Sequence, residues 1–376
     1  VKVLYIGHYK ETGGWAQAAT DHIIALDSVG VDVVCRNVTL TSDKEVLHPK
    51  ILELEKKSSE GCDICIQHVL PHHLVGTNSF TKNIAFLEAE TNDIKELCWF
   101  EHLKQMDEIW VANHDLKKSF GDDFNIPINV VHHPCNTQKY KKRYKEFNLP
   151  VANNKFKFYF VGDFNDRKNL EAVVSCFHSE FDPAENAILL LKVKKFAKST
   201  EELKAMVDDF LRRTKASLRM FNNLESYSKD VIITEDMEEQ DLMSLHQYCD
   251  CFVCPSHGEA WSIPSFDAMA FGNTPICSNF GGPKEFITND DKTGKLIDGS
   301  FRVCKSVDSA FPDMFTAREY WLQPDEKQIR QAMRYYYEDW KTDPISHKMK
   351  AAAEGIKIAE KFSHENIGNK MKELLV

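Results

Sequence analysis

The sequence has no apolar run approaching the about 18 residues that a membrane-spanning helix requires, so no transmembrane segment is expected. It has no surplus of positive charge. Lysine and arginine number 47 against 57 aspartates and glutamates, a formal charge of −10. Sequence-independent nucleic-acid binding needs a net basic footprint to displace counterions, so that class is disfavoured. Lasting attachment to an anionic bilayer is disfavoured too, which leaves room only for peripheral membrane contact through a local basic patch. The 11 cysteines are odd in number and scattered through apolar stretches. They fit buried, reduced thiols in a cytoplasmic protein better than a disulfide framework. No full G-x-G-x-x-G is present, which counts against dinucleotide oxidoreduction. Low-complexity tracts and short-period repeats are missing as well. The opening Val1-Lys2-Val3-Leu4-Tyr5-Ile6-Gly7 reads as a core strand without a cleavage site, so no signal peptide is expected.

What is there has the balance of a globular protein: 376 residues, 43% hydrophobic and 28% charged, long enough for two domains. Short β-branched apolar runs alternate with helical patterns, the signature of parallel α/β units. Strands are predicted near 2–6, 32–37, 63–67, 83–87, 108–112 and 128–132, then near 156–161, 189–193, 230–234, 251–254, 274–277 and 295–297. Helices are predicted at 15–28, 94–106, 168–180, 200–215, 238–247 and 263–271, and the chain turns helical from about 325. The basic run Tyr140-Lys141-Lys142-Arg143-Tyr144-Lys145 and the turn-forming Asn148–Asn154 read as a solvated linker. That places one domain at 1–150 and another at 151–359, with a ligand cleft between them.

Both halves open with a strand, a glycine and a polar loop before a helix, as phosphate sites of doubly wound sheets do. In the first the loop ends in Gly13-Gly14; in the second, Gly162 leads to Asp163-Phe164-Asn165-Asp166-Arg167-Lys168-Asn169. A lysine near the positive end of a helix, as Lys168 is read, asks for an anion. The most informative stretch runs from Pro255 to Gly272. Pro264 suits a first helical position, and the amides of Ile263, Ser265 and Phe266 are expected to be unsatisfied and open to an anion. Glu259 precedes that turn, and Asp267 lies eight residues on in a mostly apolar helix, where it needs a polar partner.

This stretch resembles the E-x7-E motif of family 4 retaining glycosyltransferases, a group with the GT-B fold, with Asp267 in place of the second Glu. Other matches follow in the family's order: Gly13-Gly14, Trp110-Val111-Ala112-Asn113, Val131–Thr137, Phe160–Asn169, Ile232–Met237, Gly281–Glu285 and Thr293–Leu296. The resemblance implies two Rossmann-like α/β domains facing each other across a cleft. The first shapes the acceptor side and is completed by a C-terminal helix over 360–376; the second binds a nucleotide sugar. Glu259 is implied to contact the donor sugar and Asp267 the ribose. Gly162, Ser262, Ile263 and Pro264 are implied neighbours of the diphosphate, and Thr234, Asp236 and Met237 of the nucleobase. Lys168 matches the family's phosphate lysine. Asp163 stands where its arginine belongs, so Arg167 is the candidate for the second charge. Glu90, in a Glu-Thr pair carried by a subset of relatives, is the candidate for a sugar or acceptor contact, ahead of His8 and His68.

The implied reaction moves a hexosyl unit from a UDP- or GDP-sugar to a glycan or other hydroxyl acceptor, with retention, domain closure, no cofactor and no required metal. A GT-B epimerase or phosphorylase, a catalytically degenerate nucleotide-sugar-binding protein and a DNA-modifying glycosyltransferase are the other readings. Cys249, Cys251, Cys254 and His257 suggest zinc, but a buried strand with no second Cys pair fits thiols in a core better. The other histidines follow no metal-ligand spacing, and Lys192, Lys194, Lys195 and Lys198 read as a solvated strand end.

Overall fold

Twelve apolar runs become parallel strands, the central ones covered on both faces, as crossover helices require, and edge strands such as Val231–Ile233 only half-buried. In the computed structural model, which describes residues 1–40, 47–304, 315 and 317–376, they form two six-stranded sheets. The first takes β1 (Lys2–Gly7), β2 (Asp32–Asn37), β3 (Ile64–His68), β4 (Lys82–Leu87), β5 (Glu108–Val111) and β6 (Ile128–Val130) in the order β2-β1-β3-β4-β5-β6. The second takes β7 (Phe156–Asp163), β8 (Ala187–Lys194), β9 (Val231–Ile233), β10 (Cys251–Cys254), β11 (Ile276–Ser278) and β12 (Lys295–Ile297) in the order β12-β11-β10-β7-β8-β9. The strand order reverses between β1 and β3 and again between β7 and β10. Crevices at such reversals, beyond the strand carboxyl ends, are where doubly wound sheets bind ligands.

All twelve strands fall where the apolar runs predict them; two expectations elsewhere need correction, and one element is new. The helix expected over 94–106 is a 3-10 turn at Ile94–Glu96 and a short helix at Phe100–Leu103, because Leu97 between them takes an extended backbone. The supposed solvated linker is anchored, with Tyr140 buried. A two-stranded antiparallel hairpin, β13 (Gly299–Val303) with β14 (Tyr320–Pro324), was not anticipated. Its first strand is mostly exposed and lacks the apolar run that marks the others.

The chain crosses between the sheets twice. After the segment 131–155 it builds the second sheet, and it returns through the helices Pro344–Lys361 and His364–Leu374. The final helix lies on the helix Gly14–Ser28 of the first domain, so closely that a Cβ on Gly368 would collide with the Ala25 carbonyl. His364 Nε2 sits 2.8 Å from Asp21 Oδ1, and Cys135 N donates to Phe362 O at 2.8 Å. Among the described residues, no helix is long and apolar enough to cross a membrane.

Candidate active site

The strand carboxyl ends of β7 and β10 bring two loops together. In the first loop, the Asn165 side chain accepts from Lys168 N at 3.1 Å and closes the 3-10 turn Asp166–Lys168. Asn169 follows with φ 53, a left-handed conformation Asn tolerates, and the long helix starts only at Leu170, not at Lys168. Asn169 Nδ2 then donates to Pro255 O at 2.9 Å, and His257 N donates to Arg167 O at 2.8 Å, so the two loops are tied by one side-chain and one main-chain hydrogen bond.

That tie places four charged side chains in one cluster, Lys168 and Glu259 buried and Arg167 and Glu90 half-buried. Lys168 Nζ is 2.7 Å from Glu259 Oε1, and Arg167 NH1 is 3.3 Å from Glu259 Oε2. Arg167 also donates to Gly258 O at 2.7 Å and reaches across the cleft to Glu90 Oε1 at 3.4 Å. The first domain comes close enough that a Cβ on Gly258 would lie 2.8 Å from the Glu90 carbonyl oxygen. Burial pushes the Glu90 carboxyl up, against the pull of Arg167 and with help from the Glu259 charge. Burial works the same way on Glu259, but Lys168 and Arg167 outweigh it and hold that carboxylate below its ordinary value. Lys168 is raised despite its burial, because Glu259 favours the ammonium. Two cations and two carboxylates, desolvated together and mutually balanced, are unusual in a core unless an incoming ligand is to exchange partners with them.

Beside the cluster, Ser262 takes φ 72 at the head of the helix Ile263–Ala270 and shares a 2.6 Å hydrogen bond with Ser265 Oγ. Pro264 occupies the first turn, as expected. The Phe266 amide is not open: it donates to Ser262 O at 3.0 Å within the helix. The glycine loop of the first domain faces this region. A Cβ on Gly13 would lie 3.1 Å from Lys194 Nζ, and one on Gly14 would lie 3.9 Å from Ile263 Cδ1. Gly162 lies against the Lys168 side chain, 3.6 Å from Cδ by the same measure.

Residues 141–308 match the family described as Glycosyl transferases group 1. A protein of Sulfolobus islandicus filamentous virus (isolate Iceland/Hveragerdi), assigned provisionally as glycosyltransferase 45, is 23% identical over 299 residues, 78% of this chain and 74% of the viral one. Three solved structures superpose over the whole of this chain. They are sucrose-phosphate synthase from Thermosynechococcus elongatus (TM-score 0.64, 14% identity, 98% of that chain), Anabaena HepE with UDP and glucose (0.63, 12%, 99%), and the E. coli trehalose-6-phosphate structure bound with UDP-2-fluoro glucose (0.68, 10%, 99%). Residues 141–308 thus carry a glycosyltransferase group 1 domain, and the chain as a whole has the GT-B fold.

Not every expected site residue of the glycosyltransferase joins the cluster. Asp267 is buried in the helix Ile263–Ala270, where its Oδ1 accepts from the Tyr140 hydroxyl at 2.6 Å and pairs with Lys139 Nζ at 2.8 Å. Thr234, Asp236 and Met237 follow β9, two strands away from β7; Thr234 is buried and Asp236 exposed. Beside Asp236 is Lys192, which is buried rather than solvated; that burial lowers its pKa, with Asp236 opposing. Lys194 lies 3.8 Å from Asp163, so a lysine accompanies the position where the family resemblance calls for arginine.

His8 and His68 are packed within the first domain. His8 Nδ1 lies 2.6 Å from Val38 O, and its Nε2 accepts from Leu70 N at 3.2 Å. His68 Nδ1 meets the Tyr5 hydroxyl at 2.8 Å, and Nε2 faces Glu88 at 3.4 Å. Glu88 in turn holds His133 Nε2 at 2.5 Å, and His133 stacks on Trp261 inside the motif. Glu88 and Lys139 have no role in the sequence reading, and His133 and Tyr140 enter it only as part of a motif match and of the linker run. The signal was the run of paired histidines and a basic–aromatic stretch just after β6. Ten of the eleven cysteines are buried, and His257 spends its ring nitrogens on Leu322 O at 2.9 Å and Arg302 at 2.6 Å.

Proposed function

We propose that this glycosyltransferase moves a hexosyl unit from a nucleoside-diphosphate sugar, with uridine or guanosine as base, to a hydroxyl of a glycan or other acceptor, with retention of configuration and no required divalent ion. The observation that carries this reading is the Lys168–Glu259–Arg167–Glu90 cluster at the β7/β10 crevice. The relatives solved with UDP and glucose and with UDP-2-fluoro glucose support a nucleotide-sugar donor.

In same-face displacement, the bond from the anomeric carbon to the diphosphate oxygen breaks as the acceptor oxygen bonds to that carbon, and the acceptor's proton passes to the departing diphosphate. Negative charge grows on the leaving group. Lys168 and Arg167 would stabilise it in place of a divalent ion, at a strength that a closed, dry site increases. Ser262, Ile263, Pro264 and Gly162 would border the diphosphate, with the Gly13-Gly14 backbone closing over it. Glu259 would turn from Lys168 to hydroxyls of the donor sugar, and Glu90 to a sugar or acceptor hydroxyl. Asp267 would take the ribose through Oδ2, since both of its protein contacts use Oδ1. Thr234, Asp236 and Met237 would lie toward the base.

The test is a calorimetric titration with UDP-, GDP- and ADP-sugars, with and without magnesium, on the native chain and on Glu259→Gln. Magnesium-independent binding of one nucleotide family, at least tenfold weaker in the variant, is the expected result. Absence of binding at saturating donor, or binding only with magnesium, overturns the reading. The anomeric configuration of the product, read by NMR, decides retention.

A further inference from the structure

Away from the charged cluster, the two domains meet a second time through a different kind of chemistry. His114 begins the helix His114–Lys118 and His132 follows β6, both in the first domain; Glu285 lies on the helix Pro283–Phe286 of the second. Glu285 Oε2 is 2.9 Å from His114 Nδ1 and 3.0 Å from His132 Nε2, and the three ligand atoms all lie within 4.8 Å of one another. The other carboxylate oxygen, Oε1, accepts from the His114 backbone amide at 2.8 Å, which fixes the orientation of the carboxylate. Next to this trio, Asp115 pairs with Lys284 at 2.9 Å and accepts from Gly281 N at 3.0 Å, clamping the same two helices together.

We propose that His114, His132 and Glu285 form a binding site for a divalent transition metal of the zinc class, which bridges the two domains and leaves a fourth position to water. Two imidazoles and one carboxylate are a common donor set for zinc that keeps an open position. Ligand atoms around a tetrahedral zinc lie about 3.3 Å apart, so the present 2.9 and 3.0 Å separations open only slightly to admit the ion. The Oε1 contact supplies the outer-shell hydrogen bond that such ligands use for orientation. His114 is largely exposed, which gives the ion an entry path, while His132 and Glu285 are mostly sheltered. One local charge opposes the ion: Lys370, on the final helix, lies within electrostatic reach of both Glu285 and His132. The trio shares no residue with the charged cluster, so the proposal stands independently of the donor assignment.

The test uses the tag-free full chain after chelator treatment, in a Cys98→Ser background to remove the exposed thiol. Zinc titration by calorimetry is expected to give one equivalent, weakened at least tenfold in Glu285→Gln and in His114→Ala, a ratio typical of lost or misoriented ligands. His114→Ala alters an exposed side chain, so its fold is expected to survive, as circular dichroism will verify. Cobalt substitution is expected to give the intense visible bands of a tetrahedral rather than an octahedral ion. Lys370→Met is expected to tighten zinc binding by about threefold through removal of the opposing charge, a change that damage to the fold would not produce. No stoichiometric zinc binding, or binding that is indifferent to both ligand substitutions, overturns the proposal.

Discussion

The crevices of the two sheets occupy equivalent places in the fold and are furnished in opposite ways. At the β7/β10 crevice, Lys168, Arg167, Glu259 and Glu90 form a charged cluster whose members depend on one another. At the β1/β3 crevice, His8, His68 and Tyr5 hydrogen-bond to one another, to main chain or to Glu88, and His22 packs against His68 and Phe86. Burial lowers the pKa of His8, His22 and His68, so these imidazoles sit neutral in the folded chain. One scaffold thus carries a cluster of paired cations and carboxylates suited to an ionic leaving group and, opposite it, a wall of neutral imidazoles around the single carboxylate of Glu88. Position in the fold selects where a ligand can go, while side-chain chemistry decides what that place does.

The sharpest way to break the comparison is Lys168→Met. If the charged crevice stabilises the departing diphosphate, kcat/KM for donor consumption should fall by about 10²–10³-fold, the range for losing one preorganised electrostatic contact. A fall of less than tenfold in a steady-state assay would place the chemistry elsewhere.

Acid should separate the two crevices. His22 and His68 are held neutral when folded, so the unfolded chain takes protons first. Their contribution is full above about pH 6.5 and is lost as pH drops below it. His246, lowered to about 4 by burial, behaves the same way over the window from about 6.5 to 4 and is worth ~3 kcal/mol at most. Glu259 is depressed, so its contribution persists above its ordinary carboxylate range and is lost only as pH falls through the lower folded value. Urea melts at stepped pH should therefore show stability declining from pH 6.5 while donor-site ion pairing persists. A flat profile down to pH 5 would contradict the neutral-histidine account.

Tyr140→Phe removes a hydrogen bond to the buried Asp267 carboxylate and should cost about 1.5–3 kcal/mol in urea unfolding, with Lys139 still in place. The smallest effect is expected at Asp163→Asn. Its pairing with Lys194 is half-exposed and 3.8 Å long, so stability should change by no more than about 0.5 kcal/mol.

Much of this was legible in the chain. Strands such as Ile64–His68 and Cys251–Cys254 announce themselves because burial on both faces leaves no polar alternation to confuse them. Lys168 and Glu259 are both legible as donor-side residues from their loops after strands, but their pairing with each other is visible only in the fold. What stayed hidden depends on side chains far apart in sequence: Asp267 finding Tyr140, or His114 finding Glu285 across 171 positions. The 140–145 run looked like a solvated linker because its charge is obvious and its one buried ring is not. The β13–β14 hairpin was unread because an exposed strand has no apolar signature.

The double crossing between the sheets has a mechanical meaning. Cys135 bridges in parallel to Ser363, so the outgoing and returning segments run side by side and are joined at that point. Where both crossings are fastened at one place, that place is the natural pivot between the domains. Sliding and twisting of one domain past the other would break that seam, whereas swinging about it would not.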